Sequence, residues 1–407
     1  MGKQRRWRHM LGLVLATSLV VAACGDDDGE GSVEGFKFGM ILVGPQNDQG
    51  WSQAHYEAGL YVIEQLGLPA DAMIVLDKVN VADRPETSLE SVVDDMVAQG
   101  AQLVFATSDD MRDGIEAAAA NHPEVPMIWS SGDNAWAEGK DYRADLTNLG
   151  NIMGQMEYGK MIAGCAAALS TQTGQIAYLG PLINDETRRL VNSAFLGARY
   201  CYENYREQDP TTLGFEVKWI GFWFNIPGFT LDPTQVTNEF LAAGADVVIS
   251  GIDTTEAIVR AGQAAAAGES VWAIPYDFKD ACAAAPAACL GVPYFNWGPS
   301  YVDVVQSVVD DEFVADWKWL GPDWDDINDP DSSAVGWVSG DALSEEAQAD
   351  LDDFIAGLGS GDINLYVGPL NWQDATEFLA DGVEATDFQI WYAEQLLEGI
   401  VGASAPQ

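Results

Sequence analysis

From Phe36 onward the chain alternates short apolar runs with amphipathic stretches. The runs FKFGMILVG (36–44), AMIVLDKV (72–79), AQLVFATS (101–108) and VPMIWSS (125–131) are apolar at consecutive positions, which predicts strands buried on both faces. Between them, SQAHYEAGLYVIEQLG and ETSLESVVDDMVAQG carry apolar residues at helical spacing. The pattern then restarts with GQIAYLG (174–180), FEVKWIGFW (215–223), ADVVISG (245–251) and VWAIPYD (271–277). Strand–helix alternation of this kind gives a parallel sheet covered on both faces. Two successive sets predict an α/β protein of two doubly wound parallel-sheet lobes, joined by a long helix around 153–168.

In open α/β sheets, ligands bind beyond the carboxyl ends of the strands. That rule singles out PQNDQGW (45–51), SDD (108–110) and SSGDN (130–134) in the first lobe. In the second it singles out FWFN (222–225), GIDTT (251–255), YDF (276–278) and the later run YFNWGPSY (294–301). These ends are rich in aromatic, amide and carboxylate groups and poor in Lys and Arg. They suit a ligand stacked between rings and hydrogen-bonded at its edges. A phosphate would want basic groups or a glycine-rich helix start.

The residues before Phe36 read differently. Lys3, Arg5, Arg6 and Arg8 precede an apolar run from Leu11 to Ala23, too short for a permanent membrane span but long enough for a signal peptide over 1–23. The run ends at Val21-Ala22-Ala23-Cys24-Gly25, which resembles a bacterial lipobox and makes Cys24 the expected lipidation site. Residues 24–35 are acidic and glycine-rich, so they predict a flexible tether reaching about 20 Å. The expected location is the outer face of the cell membrane, held by lipid.

Composition changes the picture in one respect. Acids number 63 and bases 19, a net charge of −44, or −48 once the four basic charges of the leader are removed. Such a surface repels nucleic acid and anionic lipid headgroups, so neither is expected as a partner. Four cysteines remain after Cys24, and four allow three pairings. Cys282 and Cys289 share one alanine- and proline-rich loop, so a bridge there is the first expectation; Cys165–Cys201 would then link two helices. The scattered cysteines and histidines argue against a metal site, and no cofactor is expected.

Catalysis finds no support in the motifs. A Gly-x-Ser-x-Gly elbow is missing from the sequence. Asp109 and Asp110 are adjacent, so they point different ways and read as helix capping rather than as a glycosidase pair.

At the strand ends the chain resembles the basic membrane protein family of ABC-transporter substrate-binding lipoproteins. The resemblance rests on NDQGWSQAHYEAG (47–59), RRLVNSAFLGAR (188–199), GADVVISGIDTTEAIVRAGQ (244–263) with WAIPYD (272–277), and FNWGPSYVDVVQ (295–306). It implies a type I periplasmic-binding-protein (Venus-flytrap) architecture, a monomer that captures a purine base or nucleoside and delivers it to a membrane permease. Carried onto this sequence, it implies Trp51 as one stacking aromatic with Asp48 beside it, and Ser131 at the fourth strand end. Trp223 becomes the second stacking aromatic, with Asn225 or Phe229 as alternatives, and Asp277 contacts the ribose or base edge. Asn296 and Trp297 stand where nucleoside-binding members place a lysine, which favours a free base. Ser108 and Asp253 complete the expected ligand set from the strand-end rule. A sugar-binding flytrap, or a sensor presenting its ligand to a membrane receptor, is the alternative reading. The expected lobes are 36–146 with 278–312, and 147–277 with 313–401.

Overall fold

The structure is a computed structural model that describes residues 33–406. The signal peptide, Cys24 and nearly all of the tether lie outside the described residues. The first lobe contains β1 (Phe38–Ile41), α1 (Trp51–Gln65), β2 (Met73–Leu76), α2 (Leu89–Ala98), β3 (Leu103–Ala106), α3 (Arg112–Asn121), β4 (Met127–Ser130) and β5 (Leu149–Gly154). β1, β3 and β4 are buried along their whole length, as consecutive apolar residues require. α2 shows how locally the helices are specified: the Ser88 side chain accepts from Ser91 N–H at its start, and Leu89, Val92, Val93 and Met96 face inward.

The second lobe begins with α4 (Met156–Ser170) and continues with β6 (Gln175–Gly180), α5 (Asp185–Asn204), β7 (Gly214–Trp219), α6 (Pro233–Ala242), β8 (Val247–Ser250), α7 (Glu256–Ala266) and β9 (Trp272–Ile274). α4 is apolar almost all round because it is sandwiched. α5 covers one side, and Gly164 and Gly197 let the two backbones touch: a Cβ at Gly164 would sit 1.8 Å from the Ala194 carbonyl oxygen. Cys165–Cys201 bridges the same pair of helices, and Cys282–Cys289 closes the loop after β9.

After β9 come β10 (Gly291–Phe295), α8 (Gly298–Val309), β11 (Trp317–Leu320), β12 (Val335–Ser339) and α9 (Glu345–Ser360). The chain ends with the hairpin β13 (Leu370–Asn371) and β14 (Glu377–Leu379), then α10 (Asp387–Trp391) and β15 (Ile400–Val401). The first sheet has the order β11-β5-β4-β3-β1-β2 and the second β15-β7-β6-β8-β9, all parallel. β10 and β12 form an antiparallel ribbon between the lobes.

The lobe boundaries correct the sequence expectation. β5 pairs with β4, and β11 pairs with β5, so 149–154 and 317–320 both belong to the first lobe. The crossings therefore fall at Gln155, around Asn296 and between 321 and 334. Backbone hydrogen bonds tie them together: Gln155 N–H to Leu320, Asn296 N–H to Ala334 and Ala334 N–H to Gly321. β5 (LGNIMG) holds two glycines and an asparagine, so hydrophobic pattern alone gives it no strand signature. Among the described residues, no helix is long and apolar enough to cross a membrane.

Candidate functional site

A cavity lies between the lobes, and each lobe supplies four of its lining residues. Trp51, Ser108, Asp109 and Ser131 come from the first; Glu186, Trp223, Asp253 and Tyr276 come from the second. Each follows the carboxyl end of a parallel strand, where peptide groups and helix starts leave room for side chains to converge. The lobes touch at its rim. A Cβ at Gly50 would lie 1.8 Å from the Asp253 carbonyl oxygen, so only glycine permits this approach. The Asn184 amide donates to Asp109 across the same boundary at 3.3 Å.

Trp51 is held from behind. Its indole N–H donates to the Thr107 carbonyl at 2.5 Å, and its ring meets His55, Phe295 and Trp297 edge-on at 4.7, 5.3 and 5.3 Å. His55 is in turn bonded to the Tyr301 hydroxyl at 2.7 Å. Trp51 is thus both core and cavity wall. Trp223 lines the cavity from the second lobe, and its carbonyl accepts from Asp253 N–H. Gln49, Ser131 and Asp277 adopt left-handed backbone conformations at three of these strand ends (φ 60, 70 and 71°). Such conformations are uncommon outside glycine and cluster at functional sites.

The electrostatics are dominated by buried carboxyls. Burial pushes Asp253 and Asp277 well above the usual carboxylate range, and burial pushes Glu186 up to about 7. Asp109 is raised for the same reason. Lys160 is the nearby cation: fully buried, it donates to the Ser250 carbonyl at 2.7 Å and sits 3.2 Å from the Tyr276 ring centroid. Burial lowers it to about 7. Asp277 is fully buried one residue beyond Tyr276, and neither carboxylate oxygen has a protein partner. Carboxyl groups kept protonated by burial can both donate to and accept from the polar edge of a ligand.

Several expected contacts lie elsewhere. Asp48 caps α1: its carboxylate accepts from the N–H groups of Gly50, Ser52 and Gln53, and burial still raises it to about 6. Asn225 accepts from the Thr230 hydroxyl inside its own loop, and Phe229 in that loop is exposed. Asn296 spends its amide on the carbonyls of Pro330 and Ser333. Trp297 stacks on His55 and Phe295 at 4.3 and 4.8 Å, forming the layer behind Trp51. Asp48, Asn225, Asp277, Asn296 and Trp297, all expected to contact the ligand, do not line the cavity.

Sequence reasoning missed Glu186, Tyr276, Lys160 and the inward role of Asp109. Asp109 and Glu186 sit in first turns and look like ordinary capping acids. Lys160 left a usable signal: a lone lysine in an apolar, alanine-rich helix is seldom buried without a partner.

Residues 36–225 match the Bmp family, described as ABC transporter substrate-binding protein, PnrA-like. A purine-binding protein of Brucella abortus is 25% identical over 356 residues, 87% of this chain and 89% of its own. A putative ABC transporter glucose-binding protein of Haloferax volcanii is 25% identical over 302 residues, 72% of this chain and 67% of its own. Among solved structures, an ABC transporter solute-binding protein of Aeropyrum pernix superposes with a TM-score of 0.63 at 14% identity, covering 81% of this chain and 92% of its own. One from Conexibacter woesei gives 0.56 at 20%, covering 81% and 98%. The family resemblance read from the sequence and the two-lobed solute-binding fold are both borne out.

Proposed function

We propose that this substrate-binding protein of the basic membrane protein family captures a free purine base between its lobes and delivers it to an ABC permease. The observation that carries the reading is the interlobe cavity walled by Trp51 and Trp223, with the Asp253 and Glu186 carboxyl groups at its edge. Two indole rings with carboxyl groups at their edges suit a flat base that carries N–H groups on its rim. The purine-binding relative supports the same chemistry.

Titration calorimetry with adenine, guanine, adenosine, guanosine and inosine, with glucose as the control, tests the reading. A base binding more tightly than its nucleoside is the expected result. Silence from every purine together with binding of glucose would overturn it in favour of the sugar reading, which the putative glucose-binding relative motivates.

The leader and Cys24 complete the proposal: a monomer tethered by lipid to the outer face of the membrane, beside its permease. Dual or triple acylation would hold it stably. Cys24→Ala should release the protein into the soluble fraction, and retention in the membrane would refute the anchor.

A further inference from the structure

A larger cavity, about 510 Å³ and open to solvent, lies on the hinge side and shares no lining residue with the interlobe site. Trp319, on β11 of the first lobe, forms part of its wall, and Gln155 at the first crossing forms another part. The rest comes from the start of α4, the end of α9 and the segment 361–390 of the second lobe.

The lining includes Glu157, Glu384 and Asp387 and neither Lys nor Arg. Arg189, outside the lining, pairs with Oε1 of Glu157 at 2.5 Å. The other oxygen, Oε2, is buried and has no protein partner, on a residue only 4% exposed. The Trp319 indole N–H is buried without an acceptor as well. A buried carboxylate oxygen left unpaired carries a desolvation cost that a donor from a ligand would offset. Tyr158, Trp319 and Tyr366 supply aromatic surface between the acids. The Tyr158 hydroxyl is raised first by burial and then by the charges of Glu157, Asp387 and Glu384, which places all three acids around one ring.

Among the described residues no group of three His, Cys, Asp or Glu side chains is close enough to hold a metal ion. Carboxylates beside aromatic rings suit an organic cation with ammonium groups on an apolar stem. We infer that this hinge-side groove is a second binding site, for a linear aliphatic diamine or polyamine. One ammonium group bonds the inner Glu157 oxygen, the methylenes lie along Tyr158 and Trp319, and the far ammonium group meets Glu384 and Asp387. Because both lobes contribute to the wall, lobe opening alters this groove. Occupancy there and occupancy of the interlobe cavity are therefore linked reciprocally.

Calorimetric titration of the purified protein with spermidine at physiological ionic strength, about 0.15 M, tests the site. Screening matters because a chain with a net charge of −44 attracts polycations non-specifically. The expected result is a single saturable site, weakened about tenfold or more in the double variant Glu384→Gln/Asp387→Asn, as loss of charge-assisted hydrogen bonds implies. Both residues are exposed, so the variant should keep the wild-type thermal midpoint and purine affinity. Tyr158→Ala, tested separately, should also weaken spermidine binding. Many weak sites unaffected by the variants would mean surface charge alone, and no saturable heat at millimolar spermidine would equally overturn the proposal.

Discussion

Two buried aspartates in the second lobe receive opposite treatment. Asp246, at the foot of β8, accepts from the Thr171 hydroxyl at 2.5 Å and from the N–H groups of Gln172 and Thr173 at 2.6 and 2.9 Å. Asp277, beyond β9, is more deeply buried and neither of its oxygens has a protein partner. The first carboxylate is consumed in joining α4 to β8 and stabilises the lobe. The second lies just behind the cavity wall, one residue beyond Tyr276, and its burial carries a cost.

The largest effect expected from this contrast is on pH. Burial raises Asp48 and Asp110 to about 6 from 3.8, and Glu186 to about 7 from 4.5. The folded protein therefore holds protons that the unfolded chain has released between those values. Stability of the ligand-free protein should fall as pH rises from about 4 to 7, with a two-unit shift worth on the order of 3 kcal/mol per group. Lys160 acts in the opposite sense: lowered to about 7 from 10.5, it makes stability recover as pH rises above 7. Denaturant melts from pH 4 to 10 measure both slopes, and a flat profile from 4 to 7 would mean that burial does not raise these three carboxyls.

Asp246→Ala comes next. It strands one hydroxyl and two backbone N–H groups and should cost about 3 kcal/mol of unfolding free energy, with ligand affinity within twofold of wild type. Asp277→Asn should do the reverse. Affinity for the base is expected to fall by about 2 kcal/mol, while urea unfolding at neutral pH shows equal or greater stability, because the cost of keeping a buried carboxyl protonated is removed. If Asp277→Asn instead destabilises the protein and leaves calorimetric affinity alone, the two aspartates are alike after all. The smallest effect belongs to Trp223→Ala, with binding weakened by about 1–2 kcal/mol if its ring stacks on the base. Competition calorimetry resolves a change of that size.

The site was legible in the sequence where it obeys local rules. Trp51, Ser108, Ser131, Trp223 and Asp253 all line the cavity because the end of a parallel strand can be read from hydrophobic pattern. Asn225, Asn296 and Trp297 also occupy strand ends or their continuations, yet their side chains are taken by Thr230, by the 330–333 turn and by the His55–Phe295 stack. The C-terminal segment was less legible still. Trp391 joins the first lobe's core beside Trp317 and Trp319, and its indole N–H and the Tyr392 hydroxyl both donate to Asp133. At the same time the carbonyls of Trp391 and Ala393 accept from Arg189 and Arg188 on α5. This strap links the two lobes through contacts more than 200 residues apart in the chain.

The amino-acid sequence by itself determined the alternation of buried strands and amphipathic helices, the division into two lobes and most of the ring and carboxyl groups offered at the strand ends. Burial periodicity and turn chemistry act over a few residues, so they are written locally. Tertiary structure alone decided where the chain crosses between lobes, that Lys160 lies over Tyr276, and which aspartate is satisfied. Thr171 reaches Asp246 across 75 positions of chain, and a hydrogen-bond partner at that distance has no signature in the local pattern.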